Sequence, residues 1–267
     1  NTALGYLTLK LNTTGGDNTA IGKESMDANT TGSNNVAVGK GSLGVNTTAS
    51  GNTAMGNNSL SANTTAAENV AVGKEAMKLT TTGASNTAVG TQSLYTNTTG
   101  ANNVAVGLGA LFANTTAADN VAVGTSALQT NTTGCQNTAV GNQALKNNTT
   151  GCFNGAVSFE ALERNTTGNY NYALGWNSLR TNTTGSLNIG IGGNSLYNNT
   201  GSSNTSIGDA SGYNISSGDQ NITLGRDAGR AGLSPFGITT ESNRMVLGNN
   251  NITNAYIKVA LTVTSDL

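Results

Sequence analysis

The chain has no histidine among its 267 residues. That removes the Ser-His-Asp triad, the ordinary histidine general base and the usual zinc sites. Thiol chemistry is limited to Cys135 and Cys152, 17 residues apart. Two cysteines are too few for a small secreted disulfide framework. If they stack one repeat apart, about 4.8 Å separates their backbones, which suits a disulfide. In-register side chains point parallel, however, and this favours two free thiols over a bond. The carboxylates are scattered: Glu24, Asp27, Glu68, Glu75 and Glu163 form no recurring pair of the kind that builds a glycosidase cleft. No carboxylate-rich loop recurs as a calcium site would require. No catalytic residue, metal or cofactor is expected, and the chain reads as something other than an enzyme.

Recognition chemistry is the remaining possibility. Phe153, Phe159, Tyr170, Tyr172 and Trp176 fall close together in a chain with few aromatics. Phe159, Tyr170, Tyr172 and Trp176 are candidates for a shallow patch that binds a host surface glycan or protein. The other reading is local packing repair around an irregular stretch. Arg226, Arg230 and Phe236, in a segment that departs from the surrounding pattern, are further candidates for surface recognition. Twelve basic and 13 acidic side chains give a net charge of −1, which offers no basic face for nucleic acid. No run approaches the roughly 20 apolar residues of a membrane span, so no membrane insertion is expected. Asn-x-Thr triplets at Asn12, Asn29, Asn46 and Asn63 match the glycan acceptor pattern but read more simply as corner residues.

What positions these side chains is a repeat. The unit Asn-Thr/Val-Ala-Val-Gly-x-x-Ser/Ala-Leu-x-x-Asn-Thr-Thr-Gly/Ala-x-x recurs every 17 residues, and 11 such copies plus one of 16 account for residues 1–203. This period is too short for two packed helices and fits one turn of an all-β parallel β-solenoid, with two short strands and two corners per turn. Stacking the turns creates ladders. In two representative turns they run through Asn35, Ala37, Val38, Gly39, Leu43 and Asn46, and through Asn103, Ala105, Val106, Gly107, Leu111 and Asn114. Valine at the fourth position and leucine at the ninth are expected to form the apolar lines of the core. Alanine at the third position lies on the opposite strand face. Its invariably small side chain points to burial where identical chains meet, as around a three-fold axis; a small residue would also suit the solenoid interior. Gln92, at the seventh position, reads as outward.

Three segments follow from the pattern: 1–203 as twelve regular turns, 204–243 as irregular turns with an inserted loop, and 244–267 as a terminal β cap or junction. Within the last, Arg244-Met-Val-Leu-Gly248 reads as a final strand, and Ala255–Thr264 has strong β-propensity.

Asn-x-Ala-Val/Ile-Gly followed by Ser/Ala-Leu resembles the head repeats of trimeric autotransporter adhesins, which are trimers of left-handed parallel β-rolls. The family's usual repeat is shorter, and the extra residues here fall around Asn-Thr-Thr-Gly. The same style of repeat resembles the shafts of bacteriophage tail fibres. Asn243-Arg-Met-Val-Leu-Gly-Asn-Asn-Asn-Ile-Thr-Asn-Ala is similar to the last fibre segment before a self-cleaving intramolecular chaperone, and Thr264-Ser265-Asp266 resembles the junction where such chaperones begin. The resemblance implies a left-handed homotrimer and a structural segment of a virus tail fibre, on the virion outside the cell, projecting or presenting host-receptor binding. The alternative is the head of a bacterial trimeric adhesin on the cell surface. An ice-binding solenoid, suggested by the threonine-rich corners, is a minor third reading, disfavoured because adjacent threonines such as Thr13 and Thr14 face opposite sides of an extended strand.

Overall fold

A computed structural model describes residues 1–233 and 236–252. The expected final strand is present; the tail from Ala255 and the Thr264-Ser265-Asp266 motif lie outside the described residues. Each repeat contributes one three-residue strand, and the 15 strands β1 to β15 pair in parallel in strict chain order. They run from β1 (Thr2–Leu4) through β7 (Val104–Val106), β9 (Thr138–Val140), β10 (Gly155–Val157), β11 (Tyr172–Leu174), β12 (Ile189–Ile191), β13 (Thr205–Ile207) and β14 (Ile222–Leu224) to β15 (Met245–Leu247). Register is preserved residue by residue: Val104 pairs with Val121, Ala105 with Ala122 and Val106 with Val123. The chain is therefore a parallel β-solenoid with turns of about 17 residues, set by the repeat length. No helix among the described residues is long and apolar enough to cross a membrane.

Among the described residues, the second strand expected in each turn does not form. Along that side successive turns are still tied by backbone bonds, such as Leu43 N–H to Ser59 O (3.0 Å) and Thr47 N–H to Thr64 O (3.2 Å). They do not make a regular ladder, because paired donors converge on single acceptors: Thr13 and Thr14 both donate to Thr30 O. Left-handed backbone also breaks the extended run. The ninth residue has positive φ in turn after turn, as at Leu43 (48°) and Leu111 (50°). A leucine there costs about a kilocalorie of backbone strain, offset by roughly 2 kcal/mol from full burial of its side chain.

The strands alternate as expected, but inside and outside are exchanged. Ala37, Ala105 and the other third-position alanines between Ala20 and Ala156 are fully buried within the single chain, beside Leu43, Leu111 and their ninth-position equivalents. The expectation that the alanines meet other chains is therefore corrected: their small size fits the narrow interior. Valine at the fourth position, expected in the core, points outward and is half-buried at Val38 and Val106 or exposed at Val89. Pattern alone cannot distinguish these faces when both are apolar. The interior has room for one large side chain per turn, and the leucine at the ninth position takes it. Gly107 closes the strand at φ 130°, where a Cβ would lie 2.6 Å from Gly124 O, so glycine is strongly favoured at this close approach of stacked turns.

Two asparagine ladders line the remaining interior. The Asn103 N–H donates to Asn86 Oδ1 (2.9 Å), and its own amide donates to Ala117 O (2.9 Å). The Asn114 amide donates to the same Ala117 O (3.1 Å) and to Asn97 Oδ1 (2.9 Å). Each ladder thus satisfies buried corner groups that no strand reaches. The glycan-like triplets have this explanation: Asn29, Asn46 and Asn63 are fully buried, with their amides turned inward.

One rung is broken. Thr80 stands where the second ladder has asparagine, and among the described residues neither Asn63 Oδ1 nor Thr80 Oγ1 has a hydrogen-bond partner. Thr80→Asn restores a donor to Asn63 and an acceptor for the Asn97 amide. We expect it to raise unfolding free energy by roughly 1 to 2 kcal/mol, measured as a shift in denaturant midpoint at unchanged slope. Asn182 Oδ1 is also unpartnered among the described residues, for another reason. The following turn is one residue short, and the Asn199 amide donates to Gly201 O (3.0 Å) without reaching Asn182.

Solenoid packing continues past residue 203 with changed content. In β13 and β14 the third-position alanine becomes Ser206 and Thr223. Both are buried and tolerated because their hydroxyls bond each other (2.5 Å) and Thr223 also meets Ser211 (2.8 Å). The longer excursion between β14 and β15 carries Arg226, Arg230 and Phe236.

Candidate binding face

The outer sheet face is built from the first and third residues of every strand. Across 15 strands not one of these outward residues is charged. The sequence selects β-branched and apolar residues here because they suit a pleated surface, yet within the single chain each of them is exposed or only half-buried. Val89, Val140, Val157, Leu174, Ile191 and Ile207 are all exposed. Scattered exposed apolar residues are ordinary; a continuous uncharged stripe of this length is a candidate contact surface.

The four candidate recognition residues lie in neighbouring turns around β10 and β11, on or beside this face. Tyr172 opens β11. Tyr170 lies two residues before it, and Phe159 and Trp176 occupy the same position of successive turns just beyond β10 and β11. All are exposed, Trp176 at 52%. Leu174 and Leu187, also exposed, join the same area and were not singled out by aromatic content. Gly155 interrupts the β-branched column for a physical reason: a Cβ there would lie 3.0 Å from Tyr172 Cδ1, so the glycine leaves room for the ring. An aromatic facing a glycine one period away is a signal readable in sequence. Phe153 and Tyr170 stack face to face, 4.8 Å between centroids and 2° from parallel. Each ring covers one face of the other.

Ser158 takes the place of the strand-closing glycine immediately before Phe159, at φ 120°. That region is nearly restricted to glycine and costs on the order of 1 to 3 kcal/mol for another residue. Ser158→Gly should raise stability by about 1 kcal/mol or more, read from thermal and denaturant midpoints. An unchanged midpoint would show that the surrounding turns carry no strain at this position.

The other candidates are not brought to the patch. Arg230 packs over Tyr213, 4.9 Å to the ring centroid, and pairs with Asp227 (2.8 Å). It ends a different column, in which Tyr197 stacks on Tyr213 at 5.1 Å and Arg180 pairs with Glu160 and Glu163 at 2.8 and 2.9 Å. Arg226 is exposed near Asp209 and Asp227. Phe236, 73% exposed, lines an open hollow of about 370 Å³ at the last turn with Ile238, Glu241, Arg244 and Met245. These residues make no single site.

On the polar flank, Gln92 is engaged rather than free: its amide donates to Glu75 Oε2 (2.9 Å), and Lys78 bonds Glu75 Oε1 (3.0 Å). The Gln92 amide, then Lys78, hold the Glu75 carboxyl below the usual carboxylate range. Any stability this contributes is present above the ordinary carboxylate pKa and disappears as pH falls through the lowered value.

The threonine corners form no free two-column array. Thr30 and its equivalents in other turns donate their hydroxyls to the next turn's carbonyl, as in Thr30 Oγ1 to Thr47 O (3.0 Å). The exposed Thr31 column beside them is single.

Fold and face together define a parallel β-solenoid repeat protein with one uncharged, partly exposed sheet face. No model of a known protein family matches the chain, and no curated protein matches it.

Proposed function

We propose that this chain is a structural segment of a virus tail fibre, assembled as a homotrimer, that projects or presents the host-binding surface. The observation that carries the proposal is the uncharged outer sheet face along all 15 strands. Covering it with the same face of other copies removes a long apolar stripe from water. Closure around a three-fold axis lets each rod bury its face against two neighbours without leaving an open, growing edge. Fourteen intervals between strands at about 4.8 Å give a rod of roughly 67 Å, a geometry suited to spanning distance. The aromatic area around Trp176 lies where this stripe is bulkiest and serves either packing between chains or contact with a host surface molecule. The repeat and terminal motifs resemble those of phage fibres, which favours that setting over a bacterial adhesin of the same design.

Sedimentation of the purified chain should give three times 26.8 kDa, and electron micrographs should show rods. A monomer at micromolar concentration would overturn the homotrimer. The fibre and adhesin readings separate in the encoding locus: a chaperone domain downstream supports the fibre, whereas a coiled-coil stalk and membrane anchor support the adhesin.

A further inference from the structure

Cys135 and Cys152 hold the same place in consecutive turns, just before β9 and β10. Their sulfurs lie 3.0 Å apart, although side chains of an in-register column are expected to run parallel. The local hydrogen bonding explains the approach. At this position the side chain of one turn commonly accepts a bond from the backbone of the turn before. Gly16 N–H donates to Ser33 Oγ (3.0 Å) and Asn169 N–H to Ser186 Oγ (3.0 Å). Cys152 adopts the serine role: Cys135 N–H donates to Cys152 Sγ (3.0 Å). Its sulfur is thereby aimed along the rod axis at its neighbour instead of outward. Both residues are half-buried, within reach of a small reagent, and the chain has no third cysteine to compete.

We propose that Cys135 and Cys152 form a redox-convertible staple that joins two adjacent solenoid turns when the chain meets a low-molecular-weight disulfide. The inference is independent of the fibre reading. Cys152 is assigned as the attacking sulfur, because the Cys135 N–H bond holds it in place along the axis. The Cys135 thiol, by contrast, is pushed above its ordinary range, first by its bond with Cys152 and then by burial.

In the first step Cys152 loses its proton to solvent and attacks one sulfur of the small disulfide. The protein–small-molecule S–S bond forms, the original S–S bond breaks, and one small thiolate leaves and takes up a proton. In the second step Cys135, deprotonated in turn, attacks the Cys152 sulfur of the mixed disulfide and expels the second small thiolate. The protein loses two protons and two electrons, and the small disulfide takes them up and is reduced to two thiols. The staple closes the turn that carries β9, so the rod cannot unzip through that turn without first breaking a covalent bond.

The test incubates the full folded chain with oxidised glutathione and follows free thiols, intact mass and tryptic fragments. Expected are loss of both thiols, a mass lower by two hydrogens, and a bond joining the fragments on either side of Lys146. Unfolding should slow by about tenfold or more relative to the reduced chain. Cys135→Ser should retain one glutathione on Cys152, and should acquire it faster than Cys152→Ser acquires one on Cys135. Two unreacted thiols, two separate glutathione adducts, or a disulfide between chains would each overturn the staple. The reverse order of the single variants would overturn the assignment of Cys152 as the attacking sulfur.

Discussion

Ala105→Glu is expected to unfold the middle of the rod. Ala105 is fully buried in an interior already filled by Leu111 and its ladder neighbours. A glutamate there both overfills the space and places a carboxyl away from water with no cation near it. The loss should be on the order of 4 kcal/mol or more, seen as a large fall in melting temperature and new protease cleavage within the regular repeats. Thr99→Glu, at an exposed corner, is the proper control and should stay within about 0.5 kcal/mol of the parent. Gln92 would be a poor control, since a glutamate there would face the carboxylate of Glu75. A near-normal melt for Ala105→Glu would mean that the third-position column is not the core of the solenoid. The experiment is also specific in kind. Damage should appear whether or not chains associate, because the alanine is enclosed by its own chain.

Charging the outer face should have the complementary effect. Val89 and Val140 are exposed on the single chain and contribute little to its interior. In the proposed trimer they lie between chains. Val89→Glu combined with Val140→Glu would put several like charges into that contact, each costing roughly 3 kcal/mol or more when buried without a partner. Association should weaken by more than about a hundredfold. Sedimentation should shift from trimer to monomer, while the far-ultraviolet signal of the β-solenoid is retained. A double variant that still sediments as a trimer would move the chain contact to another side of the rod. Together the two experiments separate folding from assembly, since one substitution acts inside the turn and the other outside it.

The Ala ladder shows why an alternating strand can be recognised in sequence while its orientation is missed. Val-Ala-Val states that two residues share a face and the third opposes them. It does not say which face is inside, because both are free of charge and alternation is symmetric under that exchange. The orientation follows from volume. Leu43 and its equivalents occupy the interior from a left-handed corner, leaving space on the strand for nothing larger than alanine. The missing second strand has a related cause: positive φ at several residues per turn depends on how the corner packs, and leucine in sequence does not announce it.

The sequence by itself determined the period, the parallel in-register stack, the strand positions and the asparagine ladders, because each is a local preference repeated at a constant interval and amplified by stacking. It also placed Phe159 beside Trp176 and Phe153 beside Tyr170, since residues one period apart must be neighbours in space. Only the tertiary structure decided which strand face is enclosed, that Gln92 is tied to Glu75, that Arg230 stacks on Tyr213 away from the aromatic face, and that the Cys152 sulfur turns along the axis toward Cys135. Those outcomes depend on competition between non-local contacts for limited volume and for particular hydrogen-bond partners, and a repeat specifies the competitors without ranking them.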